Sequence, residues 1–140
     1  MTTIHQDIRA GLQKRALETS GMPAEGSRSF EGVTFEPQPG EAWVRMTLIP
    51  TDSDSIVSGA SATQTGIFQI DLYEPAGLGT GGIEALADAV MDKFRVGTRI
   101  FQGVEIIRIV GSRRSGPVFP EADYLRAIVE IRYSVHSTRL

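Results

Sequence analysis

Residues 67–101 restrict the fold more than any other part of the chain, because two different periodicities follow one another there across a glycine-rich turn. In IFQIDLY (67–73) the apolar Phe68, Ile70 and Leu72 alternate with Gln69, Asp71 and Tyr73, the two-residue period of a strand with one buried face. Such alternation belongs to antiparallel sheets, which leave the other face to solvent. In IEALADAVMDKFR, Ile83, Leu86, Ala87, Val90, Met91 and Phe94 recur at helical spacing, so one apolar helix face must lie against the sheet.

Gly77, Gly79 and Gly82 match G-x-G-x-x-G between these two elements, the pattern of dinucleotide-binding turns in which pyrophosphate approaches a helix N-terminus. The context departs from that pattern. Glu74, Pro75 and Ala76 separate the strand from the glycines, and the strand alternates instead of being apolar throughout. Glu105 stands near the spacing of a ribose-binding carboxylate but is followed by IIRIV instead of closing a strand. A doubly wound fold also needs repeated strand–helix units, and one is convincing here. The glycines read as a flexible turn, with a nucleotide-binding or regulatory module at 77–82 as the alternative.

The rest of the chain supports an α+β reading. Thr3 and Gln6 form a T-x-x-Q capping box, and Ile4, Ile8, Leu12 and Ala16 follow at four-residue steps, which predicts a helix over about 4–19 that Gly11 weakens and Gly21 ends. Residues 21–42, rich in Pro, Gly and Glu, read as an extended, partly docked connection. WVRMTLI (43–49) alternates as a strand closed by Pro50 and should pair with 67–73. Residues 50–66 are too long and polar for a hairpin turn, and such a connection is usually functional or disordered. TRIFQGVEIIRIV (98–110) gives two short strands hinged at Gly103, and YLRAIVEIRYSV (124–135) gives another, with 111–123 an exposed finger carrying Arg113 and Arg114. The expected architecture is a single domain over 1–140, an antiparallel or mixed β-sheet with two helices packed on one face, the sheet and second helix falling in 43–135.

Composition excludes several classes of function. A net charge of −3 gives no general attraction to a phosphate backbone, so tight wrapping of nucleic acid is not expected. There is no cysteine, which removes disulfides and thiolate metal sites. No twenty-residue apolar run occurs, and MTTIHQDIRAGLQ lacks the basic flank and apolar centre of a signal peptide, so a soluble protein made in the cytoplasm is expected, with no membrane partner.

A search for chemistry finds no catalytic constellation. His5 lies in the first turn of a helix and His136 beyond the last expected strand, neither beside a nucleophile, and no metal-ligand spacing of histidines occurs. Asp52 and Asp54 in TDSDS begin like a calcium loop but lack its later ligands, and they read as residues that satisfy backbone groups in turns. Glu84, Asp88 and Asp92 form a solvated acidic stripe on the second helix. Arg113 and Arg114 offer guanidinium forks for a phosphate or a partner carboxylate. No enzymatic activity and no cofactor are expected.

Three blocks carry a resemblance: FEGVTFEPQPGEAWVRMTLIP, TGIFQIDLYEPAGLGTGGIEALADAVMDKFRVGTRI and GPVFPEADYLRAIVEIRYSV. The telling features are FEP-x-P-G before a Trp-containing strand, and FQIDLY followed by P-x-G-x-G and a helix ending in F-x-x-GT. They resemble a phage-related family similar to the tail terminator proteins of long, flexible-tailed phages. The resemblance implies an α+β subunit of the virion tail that forms a homo-hexameric ring on the head-proximal end of the tail tube, stops tube polymerisation and helps join the head. The implied partners are other copies of the chain, the tail tube protein and a head–tail connector or neck protein, with DNA passing through the ring without specific binding. Ring closure uses heterologous contacts between neighbours. Asp52, Asp54 and Ile56 in the long connection, with Arg113 and Arg114 in the finger, are the candidate interface residues. The alternative within the virion is another neck or minor tail component.

Overall fold

The computed structural model describes residues 3–55 and 62–137. The chain opens with α1 (Ile4–Leu17), whose first turn is closed by the expected capping box. The Gln6 backbone N–H donates to Thr3 Oγ1 at 3.2 Å, and the Thr3 N–H donates to Gln6 Oε1 at 2.8 Å. Ile8, Leu12 and Ala16 are fully buried along one side, so the four-residue spacing did mark the core face. Gly11 is on that side too, and it has a use the sequence hid. A Cβ there would stand 2.8 Å from Ile107 Cδ1, so the glycine sets how closely the helix approaches the sheet.

The strands are β1 (Arg28–Phe30), β2 (Trp43–Ser55), β3 (Ala62–Pro75), β4 (Arg99–Gln102), β5 (Glu105–Arg114), β6 (Phe119–Glu121) and β7 (Tyr124–Ser137), with α2 (Gly81–Lys93) between β3 and β4. They form one mixed sheet in the order β1-β2-β3-β7-β5-β4, with β6 added alongside β7. β1 runs parallel to β2, and every other pairing is antiparallel. The 21–42 connection thus contributes a strand of its own.

Both helices lie in one core with one face of the sheet. Val44, Met46 and Leu48 from β2, Phe68, Ile70 and Leu72 from β3, and Val129, Ile131 and Val135 from β7 meet Ile83, Ala87, Val90 and Phe94 of α2 and the apolar side of α1. Each fully buried branched or aromatic side chain there contributes about 1.5–3 kcal/mol of transfer free energy.

Pro50 does not close β2. The strand runs on to Ser55, with a register break between Pro50 and Ser53, and pairs with β3 to Ser55↔Ala62. Much of the connection expected at 50–66 is therefore paired strand. Pro50 is tolerated because of the side it faces. Leu48 directs its N–H away from β3, onto Glu31 Oε1 at 2.7 Å, and the alternation of the strand turns the position two residues later the same way. The missing N–H of Pro50 thus falls on the open edge, where β1 has already ended. Glu31 also accepts from Arg9 Nη1 at 2.7 Å. Burial pushes its carboxyl up, but the Arg9 and Leu48 hydrogen bonds and the Arg9 charge outweigh that and hold it below its ordinary value.

The 111–123 finger is likewise mostly sheet. β5 continues through Gly111 to Arg114 against β7, after a register break between Ile109 and Gly111, and β6 pairs with the start of β7. His136 lies inside β7, its Nδ1 3.3 Å from Thr63 Oγ1.

Candidate assembly interface

The residues singled out in the sequence do not converge. Asp52 falls in the register break of β2, Asp54 lies opposite Thr63, and Ile56 lies outside the described residues. Arg113 and Arg114 are on β5, separated from β2 by β7 and β3 in the sheet order, which at strand spacing is about 14 Å. As neighbours on a strand they point to opposite faces, so they cannot fork onto one group. Arg113, opposite Glu130, donates from Nε and Nη2 to Glu130 Oε2 at 3.1 and 3.0 Å. Arg114 is opposite Val129 and has no ion pair among the described residues.

On the face away from the helices, cross-strand register builds a cluster that periodicity alone conceals. Trp43 is opposite Tyr73, and Tyr73 is opposite Arg126. The Trp43 and Tyr73 rings stack at 3.8 Å with 1° between planes, and Tyr124 meets both edge-on. Arg126 lies over Tyr73 and Phe119, and Arg45 over Trp43. Asp71, 2% exposed, holds Arg126 Nη2 at 3.2 Å and accepts from Gln69 Nε2 at 3.0 and 3.2 Å. Burial pushes the Tyr73 phenol up to about 12, with Arg126 opposing and Asp71 assisting. Phe35 packs on Trp43, and Tyr124 Oη donates to the Gln38 carbonyl at 3.2 Å. The FEPQPG segment is thereby strapped over the cluster.

The same face changes character at β4 and β5. Ile100, Ile107 and Ile109 point to the core, and the alternate residues point outward with no element over them. Phe101 is 69% exposed, Val110 54%, and Val104 in the intervening turn 79%. Phe101 is opposite Ile106, and Arg99 is opposite Arg108. Neither arginine has an ion pair among the described residues. Sequence reasoning placed these strands but not their exposure. The readable signal was that 104–110 is apolar at positions of both parities, while only two helices were available for cover.

The glycine turn holds no nucleotide geometry. β3 is antiparallel to both its neighbours. Gly77 and Gly79 have φ of 98° and 80°, which accounts for glycine at both positions. Glu74, a carboxylate of the chain itself, stands against Gly82 in the first turn of α2. No group of three or more metal-ligating side chains occurs among the described residues, and no helix there is long and apolar enough to cross a membrane.

Exposed apolar strands and unpaired cations on a small α+β subunit are features that proteins bury against partners. The comparisons agree with that class. The sequence pattern of the phage tail terminator protein family matches residues 7–133, and the chain belongs to that family. It is a structural protein of the phage tail, located in the virion tail. A solved chain without a functional description matches it at 20% identity and TM-score 0.74, covering 96% of both chains. A chain from the virion of a native gene transfer agent (GTA) particle matches at 19% identity and TM-score 0.68, covering 98% of this chain and 100% of that one. At such identities the likeness concerns the fold. No curated protein sequence matches significantly.

Proposed function

We propose that this protein, acting as one domain over its whole length, caps the head-proximal end of the tail tube as a homo-hexameric ring, stops tube polymerisation and presents a surface for head joining. The observation that carries the reading is the family match over nearly all of the chain. The partners are neighbouring copies, the tail tube protein and a connector or neck protein. The role is structural, with no catalysis and no cofactor. A fold shared with a chain of a GTA virion supports a place in a particle. A net charge of −3 suits a ring through which DNA slides without adhering.

Disruption of the gene in its phage tests this. The expected product is overlong tails without heads. Tails of normal length carrying heads would overturn the reading, and filled heads beside unjoined tails of normal length would move the protein to the neck.

A further inference from the structure

The subunit carries a projection and a depression of matching chemistry at opposite ends of α2. The projection is Leu78, 81% exposed between two glycines of positive φ that have open space around them. The elements that follow and support it carry acidic residues. The Ala76 N–H donates to the Asp123 carbonyl at 2.9 Å, which holds Asp123 at the base of the turn, and Glu84 lies in the first turn of α2 with Asp88 one turn on. None of Glu84, Asp88 and Asp123 has an ion pair among the described residues.

The depression follows the other end of α2 and is lined by Val96, Gly97, Arg99, Arg108, Ile109 and Val110. Val96 is 67% exposed. Arg99 and Arg108 face each other across β4 and β5, an arrangement of like charges that is unfavourable until an anion lies between or beside them. An apolar floor rimmed by guanidinium groups accepts an apolar side chain flanked by carboxylates.

The two features cannot meet within one subunit. α2 has 13 residues and separates them by about 20 Å. A contact between them joins different patches of two copies, and this head-to-tail geometry closes into a ring when the rotation per subunit allows.

We propose that the Leu78 turn of one copy seats in the Arg99/Arg108 depression of the next, with Glu84, Asp88 and Asp123 facing the two arginines. The inference rests on the ring reading above and specifies its subunit contact.

The absence of cysteine makes the test direct. Leu78→Cys and Val110→Cys are exposed substitutions, and thermal melts establish that each variant folds. Where native mass spectrometry shows oligomers, a short bismaleimide should convert the double variant into a covalent ladder ending at the hexamer. A mixture of the two single variants should stop at dimers, and each alone should stay uncrosslinked. Arg108→Glu should reduce the oligomer population at least tenfold at fixed concentration, and adding Asp88→Arg should restore it. Intact rings without a ladder would overturn this contact and leave the terminator reading standing. Monomers at every concentration would also overturn it, with the tail-length phenotype then judging the function separately. A tail tube protein protected by the depression in place of a second copy would assign the surface to the tube and overturn the proposal.

Discussion

Gly66 on β3 faces Tyr133 on β7, and the phenol ring of Tyr133 takes up the space that a side chain at position 66 would need. A Cβ there would be 2.6 Å from Tyr133 Cζ and 2.7 Å from the Ile49 carbonyl oxygen. Gly66→Ala must therefore displace a buried ring or the backbone of β2. The expected loss is about 1–3 kcal/mol, read as a lower urea midpoint. Tyr133→Phe/Gly66→Ala should recover part of it, because it removes the hydroxyl, the atom nearest to where the new methyl group must lie.

Arg126 is the cation that compensates the buried Asp71. Replacing it with Met keeps much of the packing over Tyr73 but leaves the carboxylate with Gln69 alone. Removing a charged hydrogen bond of this kind costs about 1.5–3 kcal/mol. Chemical denaturation of Arg126→Met, beside Arg126→Met/Asp71→Leu, checks the cause: the double variant should be the more stable of the two, since it no longer buries an unpaired charge.

Glu31 links stability to acid pH. Its folded carboxyl lies below the ordinary value of 4.5, so the native state binds that proton less readily than the unfolded chain. The stabilisation is present above about 4.5 and is lost as pH falls through the lower folded value. Glu31→Gln should be less stable than the unmodified protein at neutral pH, and the gap should narrow on acidification below that range. Urea melts at several pH values measure it, and a gap that widens in acid would contradict the assignment.

Arg113 is engaged with Glu130 of its own sheet, with its side chain 63% exposed. Arg113→Ala should shift stability by less than about 1 kcal/mol, as for other solvated pairs. We predict that any assembly role of the pair rests with Arg114, which has no ion pair among the described residues and faces the other way. The oligomer distribution of Arg113→Ala/Arg114→Ala in native mass spectrometry should match that of Arg114→Ala alone.

Local periodicity was enough to place α1, α2, the pairing of 43–49 with 67–73, and the half of each strand that faces the helices. Phe68, Ile70 and Leu72 show why: alternation records burial on one face directly. The extension of β2 past Pro50 was not legible, since whether a proline ends a strand depends on which neighbour its nitrogen faces. Residues 111–123 likewise read as an exposed finger, although β5 keeps its pairing with β7 past Gly111. Asp52, Asp54, Arg113 and Arg114 stood out by composition, whereas the stacking of Trp43 on Tyr73 and the exposure of Phe101 and Leu78 depend on register and on what the two helices leave uncovered.

The open side of β2 bears on how such a subunit avoids growing without limit. Glu31 occupies the outward N–H of Leu48, and the next outward position has no N–H because it is Pro50. A second chain adding itself as a further strand there would find two successive donors missing. Association by backbone pairing, which has no natural end and leads to fibres, is thus discouraged at this edge. Recognition is left to side chains, whose shapes fix an angle between neighbours and so allow a count of copies to be finite.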